Sequence, residues 1–350
     1  MTSFRQHNRE FESWLGDQCS LVRSDIAWKH ERMKVSPFIF LRATFFRWAK
    51  TIETICPECA DAPRLMAVGD IHLENFGVWR DRDGRLVWGV NDFDEVTRTP
   101  CAFDLVRLAT SALLSGHVDL SGEAMTAAIL GGYRRGLASL SPVLLDRDNA
   151  WMRPLVMCTE SDRVKFWDDI AAEKSVEPPE TARVAMLESL PRRAEVTRFI
   201  RRSKKGGGAL GKPRFAVVAA WRGGDVVREA KALTPSAWDW AHGKRGSVAR
   251  GLDMARSDSR APDPFLAVHP GYIVRRLAPD NRKIEFEDKA ALKLSGRILE
   301  MMGQELGSLH GEQDAAAVRA DLKRRKGDWL LEAAKRAAAF VEADYESWRG

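Results

Sequence analysis

No stretch of this 350-residue chain stays apolar for the ~18 residues that a membrane-crossing helix needs. Its first residues, MTSFRQHNREFESW, are polar and charged and lack the apolar centre of a secretory signal, so a cytoplasmic protein is expected. Cysteine is scarce: five residues, an odd number spread over a large chain, which argues against a disulfide framework. Cys56 and Cys59 form one CxxC, but no second CxxC and no HxxxH supplies the other two ligands of a structural zinc, so reduced thiols are expected. Repeats and low-complexity tracts are also missing. Basic runs occur at 201–205 (RRSKK) and 323–326 (KRRK) without any nucleic-acid motif, and such runs are usually solvated helix faces. Neither a membrane nor a nucleic acid is an expected partner.

What remains is an ordinary globular composition, 45% apolar and 30% charged, in a chain long enough for two lobes. The net charge of +6 mildly favours anionic partners. The twelve tryptophans read most simply as core and interface residues.

Hydrophobic rhythm divides the chain. Residues 4–35 and 36–52 read as helical, the second with Ser36 as N-cap and Pro37 at the first helical position. RLMAVGD and RLVWGVNDF read as two strands, with the Asp-Gly of RDRDGR supplying a turn between them. From Pro100 to about 202 the pattern is helical, through TARVAMLESLPRRAEVTRFIRR. Glycines then cluster, and β-rich segments follow on either side of Gly223-Gly224. The tail from 289 is helical again. The expected organisation is a helical segment 1–65, a loop-and-helix lobe 66–202, a β-rich lobe 203–288 and returning helices 289–350, an α+β protein.

The chemistry concentrates in VGDIHLENFG (68–77) and GVNDFDE (89–95). Asp70-Ile71-His72 could open a metallophosphoesterase site, but the GDxxD and GNH segments of that family are missing. A polar turn between strands is the plain alternative. A third reading uses both motifs. Asp70 and Asn75, five positions apart on a loop after a buried strand, match the catalytic loop of protein kinases, where Asp orients the acceptor hydroxyl and Asn holds Mg²⁺. Asp92, with Asp94 as its competitor, stands where a second metal-binding carboxylate is needed.

GDIHLENFG, NDFDE and PCAFDLVRLATS together resemble the aminoglycoside-phosphotransferase branch of the kinase-like fold. Closer still is the resemblance to a bacterial family of unknown function within that clan, whose hallmark is GDxHxxNFG…NDFDE…DLxRLxxS; SPFIFLR and REAKAL are shared as well. The resemblance implies a two-lobed protein-kinase-like fold using ATP and Mg²⁺, with Asp70 catalytic, Asn75 and Asp92 or Asp94 on the metal, and His72, Asp104 and Arg107 supporting the loop. It leaves the acceptor, a small molecule or a protein, and the oligomeric state open. A nucleotide-binding module that transfers nothing, or transfers a nucleotidyl group, is the alternative.

One departure reshapes the expectation. A kinase places its ATP-gripping lobe before the catalytic loop, yet no glycine-rich loop and no strand lysine precede Asp70. Both occur later, as GGGALGKPRF (206–215) with Gly207, Gly208 and Gly211, and as Lys231 in VVREAKAL. YIVRRLAP, with Arg276 and Leu277, resembles the strand that enters the adenine-binding hinge, and LGSLHG resembles the helix that precedes a catalytic loop. The reading is a circularly permuted kinase-like fold with Lys231 facing Asp92. The following helix offers no glutamate for Lys231, only Asp239 or Asp253, and Glu229 lies too near on the same strand.

Overall fold

The computed structural model describes residues 2–203, 211–244, 250–283 and 293–350. Helix accounts for 52% and strand for 17%, in several sheets, so the chain is mixed α+β. None of the helices among the described residues is long and apolar enough to cross a membrane.

Helix α1 (Phe4–Gln18) is capped by Ser3, and α2 (Arg23–Arg32) follows a break at 19–22 that divides the single helical stretch expected over 4–35. At the break, the Val22 N–H leaves the helix to donate to Gly211 O at 2.9 Å. Ser36 accepts the Ile39 N–H and Pro37 starts α3 (Pro37–Ala43). Thr44 is non-helical and separates α3 from α4 (Phe45–Ile55), its hydroxyl donating to Phe40 O.

Strand β1 (Arg64–Ala67) runs into the Asp70 loop and pairs antiparallel with β4 (Thr97–Pro100). Between them, β2 (Phe76–Arg80) and β3 (Leu86–Val90) form a hairpin that ends at Asn91-Asp92. Helices α5 (Ala102–Ser115) and α6 (Gly122–Ala138) follow, then β5 (Val143–Leu144), which joins the edge of β3.

After the short α7 (Arg153–Val156), α8 (Glu160–Ala172) and α9 (Glu180–Glu188) cover opposite faces of a five-stranded antiparallel sheet. Its order is β6 (Glu195–Arg201), β7 (Arg214–Trp221), β8 (Gly224–Ala232), β10 (Tyr272–Leu277), β9 (Ala267–His269). Residues 195–201 were expected to continue a helix and instead form the edge strand β6, so the sheet starts before 203. Pairing with β7 satisfies one side of their backbone and buries Ile200, which outweighs the helical preference of their Arg and Glu residues. The β7–β8 connection is the two-residue turn Arg222-Gly223, both with positive φ (48° and 84°), as a type I′ hairpin requires. Register places Arg214 beside Lys231, and Ala216, Glu229 and Arg275 in one row, so the charged residues share one face.

Helices α10 (Ala237–Ala241) and α11 (Arg250–Ala255) lead from β8 toward β9. The chain ends in α12 (Gly296–Arg324), interrupted by non-helical Asp314, and α13 (Trp329–Arg349). Helix α13 packs on α5 and α3, while α12 lies against α6 with almost no side chain between them. A methyl at Gly132 would sit 1.8 Å from Glu300 O, and one at Gly307 would sit 2.2 Å from Tyr133 O. Backbone meets backbone there, and only glycine fits.

Candidate active site

The Asp70 loop is tied down by its backbone. Asp104, in the first turn of α5, accepts the N–H groups of Val68 (2.7 Å) and Gly69 (3.0 Å). Gly69 has φ +77°, and a methyl there would sit 2.7 Å from Glu95 O. Behind Asp104, His310 of α12 places Nε2 at 3.3 Å from its carboxylate and Nδ1 at 2.8 Å from the Tyr133 hydroxyl. One turn along α5, Arg107 pairs with the Asp70 carboxylate at 2.5 Å and donates to Leu41 O at 2.9 Å. The Arg107 guanidinium is fully buried between the rings of Phe45 and Trp48. Burial pushes the Asp70 carboxyl above its ordinary range, and Arg107 works against that shift.

His72 turns its Nδ1 to the Glu74 N–H (3.2 Å) and its ring toward Phe38. Burial, with Arg42 and Arg107 nearby, holds its pKa well below 6.5, so it is a neutral loop-packing group. Asn75 donates from Nδ2 to Asp70 O (3.1 Å) and Asp92 O (3.3 Å), stitching the two motifs together. Its Oδ1 is buried and meets no donor among the described residues.

On the second motif, Asp92 Oδ2 lies 3.4 Å from Lys231 Nζ and 3.7 Å from Lys283 Nζ, and Asp94 also contacts Lys231. Burial favours the neutral acid at Asp92, but Lys231, Lys283, Arg275 and Arg214 outweigh it and hold the carboxyl well below its ordinary value. Lys283 reaches the site because the chain after β10 returns to β2, where Val78 N–H donates to Arg282 O at 2.8 Å. The partners of Lys231 are therefore the two aspartates of the loop. Asp239 is buried and accepts from the Thr97 hydroxyl, Asp253 is exposed, and Glu229 binds arginines.

A cleft of about 350 Å³ opens beside these groups, lined by Asp92, Phe166, Arg214, Arg275, Leu277 and Lys283 among others. Arg276 also borders it, donating to Arg80 O and Asp263 and lying over the Phe265 ring. Gly211 does not border the cleft; it packs against Ile26 of α2. Gly207 and Gly208 lie outside the described residues.

Arg260 and Glu305 escaped sequence reasoning. Arg260 donates to Val90 O (2.5 Å) and to Glu305 (3.0 Å), while Glu305 accepts the Val90 N–H (3.2 Å). A single buried ion pair thus holds both backbone groups of the residue two places before Asp92. Glu305 did leave a signal: it shares the apolar stripe of α12 with Met302, Leu306 and Leu309. Arg260 left none.

Among the described residues, no three His, Cys, Asp or Glu side chains cluster as a metal cage. Magnesium needs no such cage, because it is held by one or two carboxylates together with phosphate oxygens and water. The Asp92 and Asp94 carboxylates and the unpartnered Asn75 Oδ1 fit that demand. Cys56 and Cys59 are buried, and burial pushes their thiols up to about 11 and about 12, as inert core residues.

Residues 21–165 match a family model described as an uncharacterized protein conserved in bacteria, DUF2252. Over that span the chain is similar to DUF2252. The DUF2252 match includes both acidic motifs, Asp104 and Arg107, and it ends before the sheet that carries Lys231. No curated protein and no solved structure matched the chain.

Proposed function

We propose that the chain is an ATP- and Mg²⁺-dependent phosphotransferase with a circularly permuted, two-lobed kinase-like fold. One observation carries this reading. Lys231, 139 positions downstream of Asp92, meets it at 3.4 Å, on the loop that Asn75 binds to the Asp70 loop. Phosphoryl transfer asks for this set: a carboxylate at the acceptor, oxygen ligands for a divalent cation and a cation for the phosphates.

In this reading Asp70 accepts a hydrogen bond from the acceptor hydroxyl and takes its proton as the oxygen–phosphorus bond forms, while the bond from the γ-phosphorus to the bridging oxygen breaks and ADP leaves. Arg107 fixes the carboxylate's orientation from behind. Asn75, Asp92 and Asp94 would hold Mg²⁺, which when bound draws charge from the phosphate oxygens. Lys231 neutralises the two loop aspartates and turns to phosphate when a nucleotide enters. The acceptor is a small-molecule or protein hydroxyl.

A second reading, nucleotide binding without phosphoryl transfer or with nucleotidyl transfer, draws support from the pairing of Lys231 with Asp92 and Asp94 themselves, in place of a helix acid. The two part in one experiment, Mg²⁺-dependent ATP binding and turnover of wild type, Asp70→Ala and Asp92→Ala. The phosphotransferase reading expects turnover by wild type, binding without turnover for Asp70→Ala, and loss of metal-dependent binding for Asp92→Ala. Binding without turnover by wild type, or turnover that releases pyrophosphate in place of ADP, selects the second reading. No binding by wild type ends both.

A further inference from the structure

The sheet wall of the cleft carries more positive charge than its acids match. Glu229, on β8 and 1% exposed, draws in Arg275 at 2.7 Å, Arg214 at 3.7 Å and Arg202 at 4.0 Å. Arg202 also reaches Glu173 at 3.4 Å. Over the whole lining of the cleft, eight basic side chains face five acidic ones, so eight minus five leaves three positive charges unmatched. A bound divalent cation would raise that surplus to five. Unmatched charge in a buried wall is costly, and a polyvalent anion removes the cost. The guanidinium groups also have the means: each has five N–H donors in a fixed fork that suits phosphate oxygens. Arg275 spends only Nε and Nη2 on Glu229. Arg202, Arg214 and Arg275 all border the cleft beside Asp92.

We infer that this wall is a polyphosphate site, in which Arg214 and Arg275, held in place by Glu229, grip the phosphate chain of the ligand. Side-chain forks would then do there what a glycine loop does with backbone N–H groups. The inference rests on the phosphotransfer reading for the use of the cleft, and it adds that the donor is recognised through its phosphates. A nucleoside triphosphate and an inorganic polyphosphate share that chemistry.

Titration calorimetry on the full chain with Mg²⁺, using ATP, tripolyphosphate and adenosine as separate probes, tests the inference. Tripolyphosphate is expected to bind within about tenfold of ATP, and adenosine about a hundredfold more weakly. Arg214→Met and Arg275→Met should each weaken tripolyphosphate binding about tenfold or more. The double variant R275M/E229Q removes one charge of each sign and keeps the sum unchanged. It should show the same loss if the guanidinium makes the contact, and it remains informative if a single variant fails to fold. Lys283→Met, at a position 28% exposed, supplies a further folded control with a smaller loss. The inference is overturned if wild type ignores tripolyphosphate, or if folded arginine variants bind it as wild type does. ATP binding and turnover without tripolyphosphate binding would sink the inference and leave the phosphotransferase standing. Arginine-dependent tripolyphosphate binding without ATP turnover would do the reverse.

Discussion

The two sides of the cleft hold their charges by different means. On the helical side, Asp70 and Asp92 sit on loops whose backbones are fastened by buried groups: Asp104 on Val68 and Gly69, and the Arg260–Glu305 pair on Val90. Behind those groups lies one large apolar core that includes α5, α6, α12 and α13. On the sheet side, Arg214, Lys231 and Arg275 stand on one face of a single sheet, with small apolar clusters under α8 and α9. Their positions come from strand register and from mutual charge. Backbone anchoring fixes a group whatever its protonation state, whereas charge anchoring changes with pH and with ligand. On the proposed function, the acid to be aimed stands on the first side and the cations that exchange partners stand on the second.

The largest expected effect tests that division directly. Asp70→Asn should lower turnover by about 10³-fold while leaving Mg²⁺–ATP affinity within a few-fold, read by steady-state kinetics beside calorimetry. Lys231→Met should instead weaken nucleotide binding first, and equal losses of affinity in the two variants would break the contrast. Next in size is Gly307→Val, whose side chain would collide with Tyr133 O; a loss of about 3 kcal/mol in urea unfolding is expected.

Acid should act with opposite sign on the two sides. Burial opposes ionisation of Glu229, but Arg275, Arg214 and Arg202 hold its pKa near 2, below the ordinary 4.5. Its stabilising contribution, about 3 kcal/mol, is therefore complete above pH 4.5 and is lost as pH falls through about 2. Burial raises Asp70 and Glu95 instead, so what they contribute is complete below their ordinary values of 3.8 and 4.5 and fades as pH rises through the raised ones. In denaturant titrations between pH 2 and 7, Glu229→Gln should flatten the acid limb, and Glu95→Gln should leave that limb intact. The smallest effect is expected at the hairpin tip. Arg222→Asn, at φ 48°, should gain about 0.5 kcal/mol, visible as a small rise in Tm, with no change in ligand affinity.

Much of the helical side was legible in sequence because local rules apply there. The Ser36-Pro37 helix start, the Asp-Gly turn before β3 and the spacing of Asp70 and Asn75 all lie within short windows. The strand on the other side of that turn, however, is β2 and not the expected RLMAVGD, which pairs with β4 as β1. The sheet side was less so. Strand β6 carries helix-compatible residues, and only its partner β7 makes it a strand. The single helical stretch expected over 36–52 likewise overlooked the break at Thr44, whose hydroxyl satisfies Phe40 O. Within the site, Lys231 stood out as a lysine on a strand, yet its meeting with Asp94 and the gathering of arginines on Glu229 depend on pairings between distant segments. Arg260 is marked only by partners from distant segments: Glu305, Val90 O and the rings of Trp79 and Phe93.

The glycine contact between α6 and α12 has a metrical consequence. Glu305 fastens the strand that leads to Asp92, and His310 fastens Asp104 and through it the Asp70 loop, so both loops are indexed to the same rod. The interval between the two pegs is five residues of helix, roughly 7.5 Å of rise. Because bare backbone seats that rod in its groove, it cannot slide without lifting both pegs together. The distance between the two acidic loops is thus set as a length is set on a ruler, by counting marks.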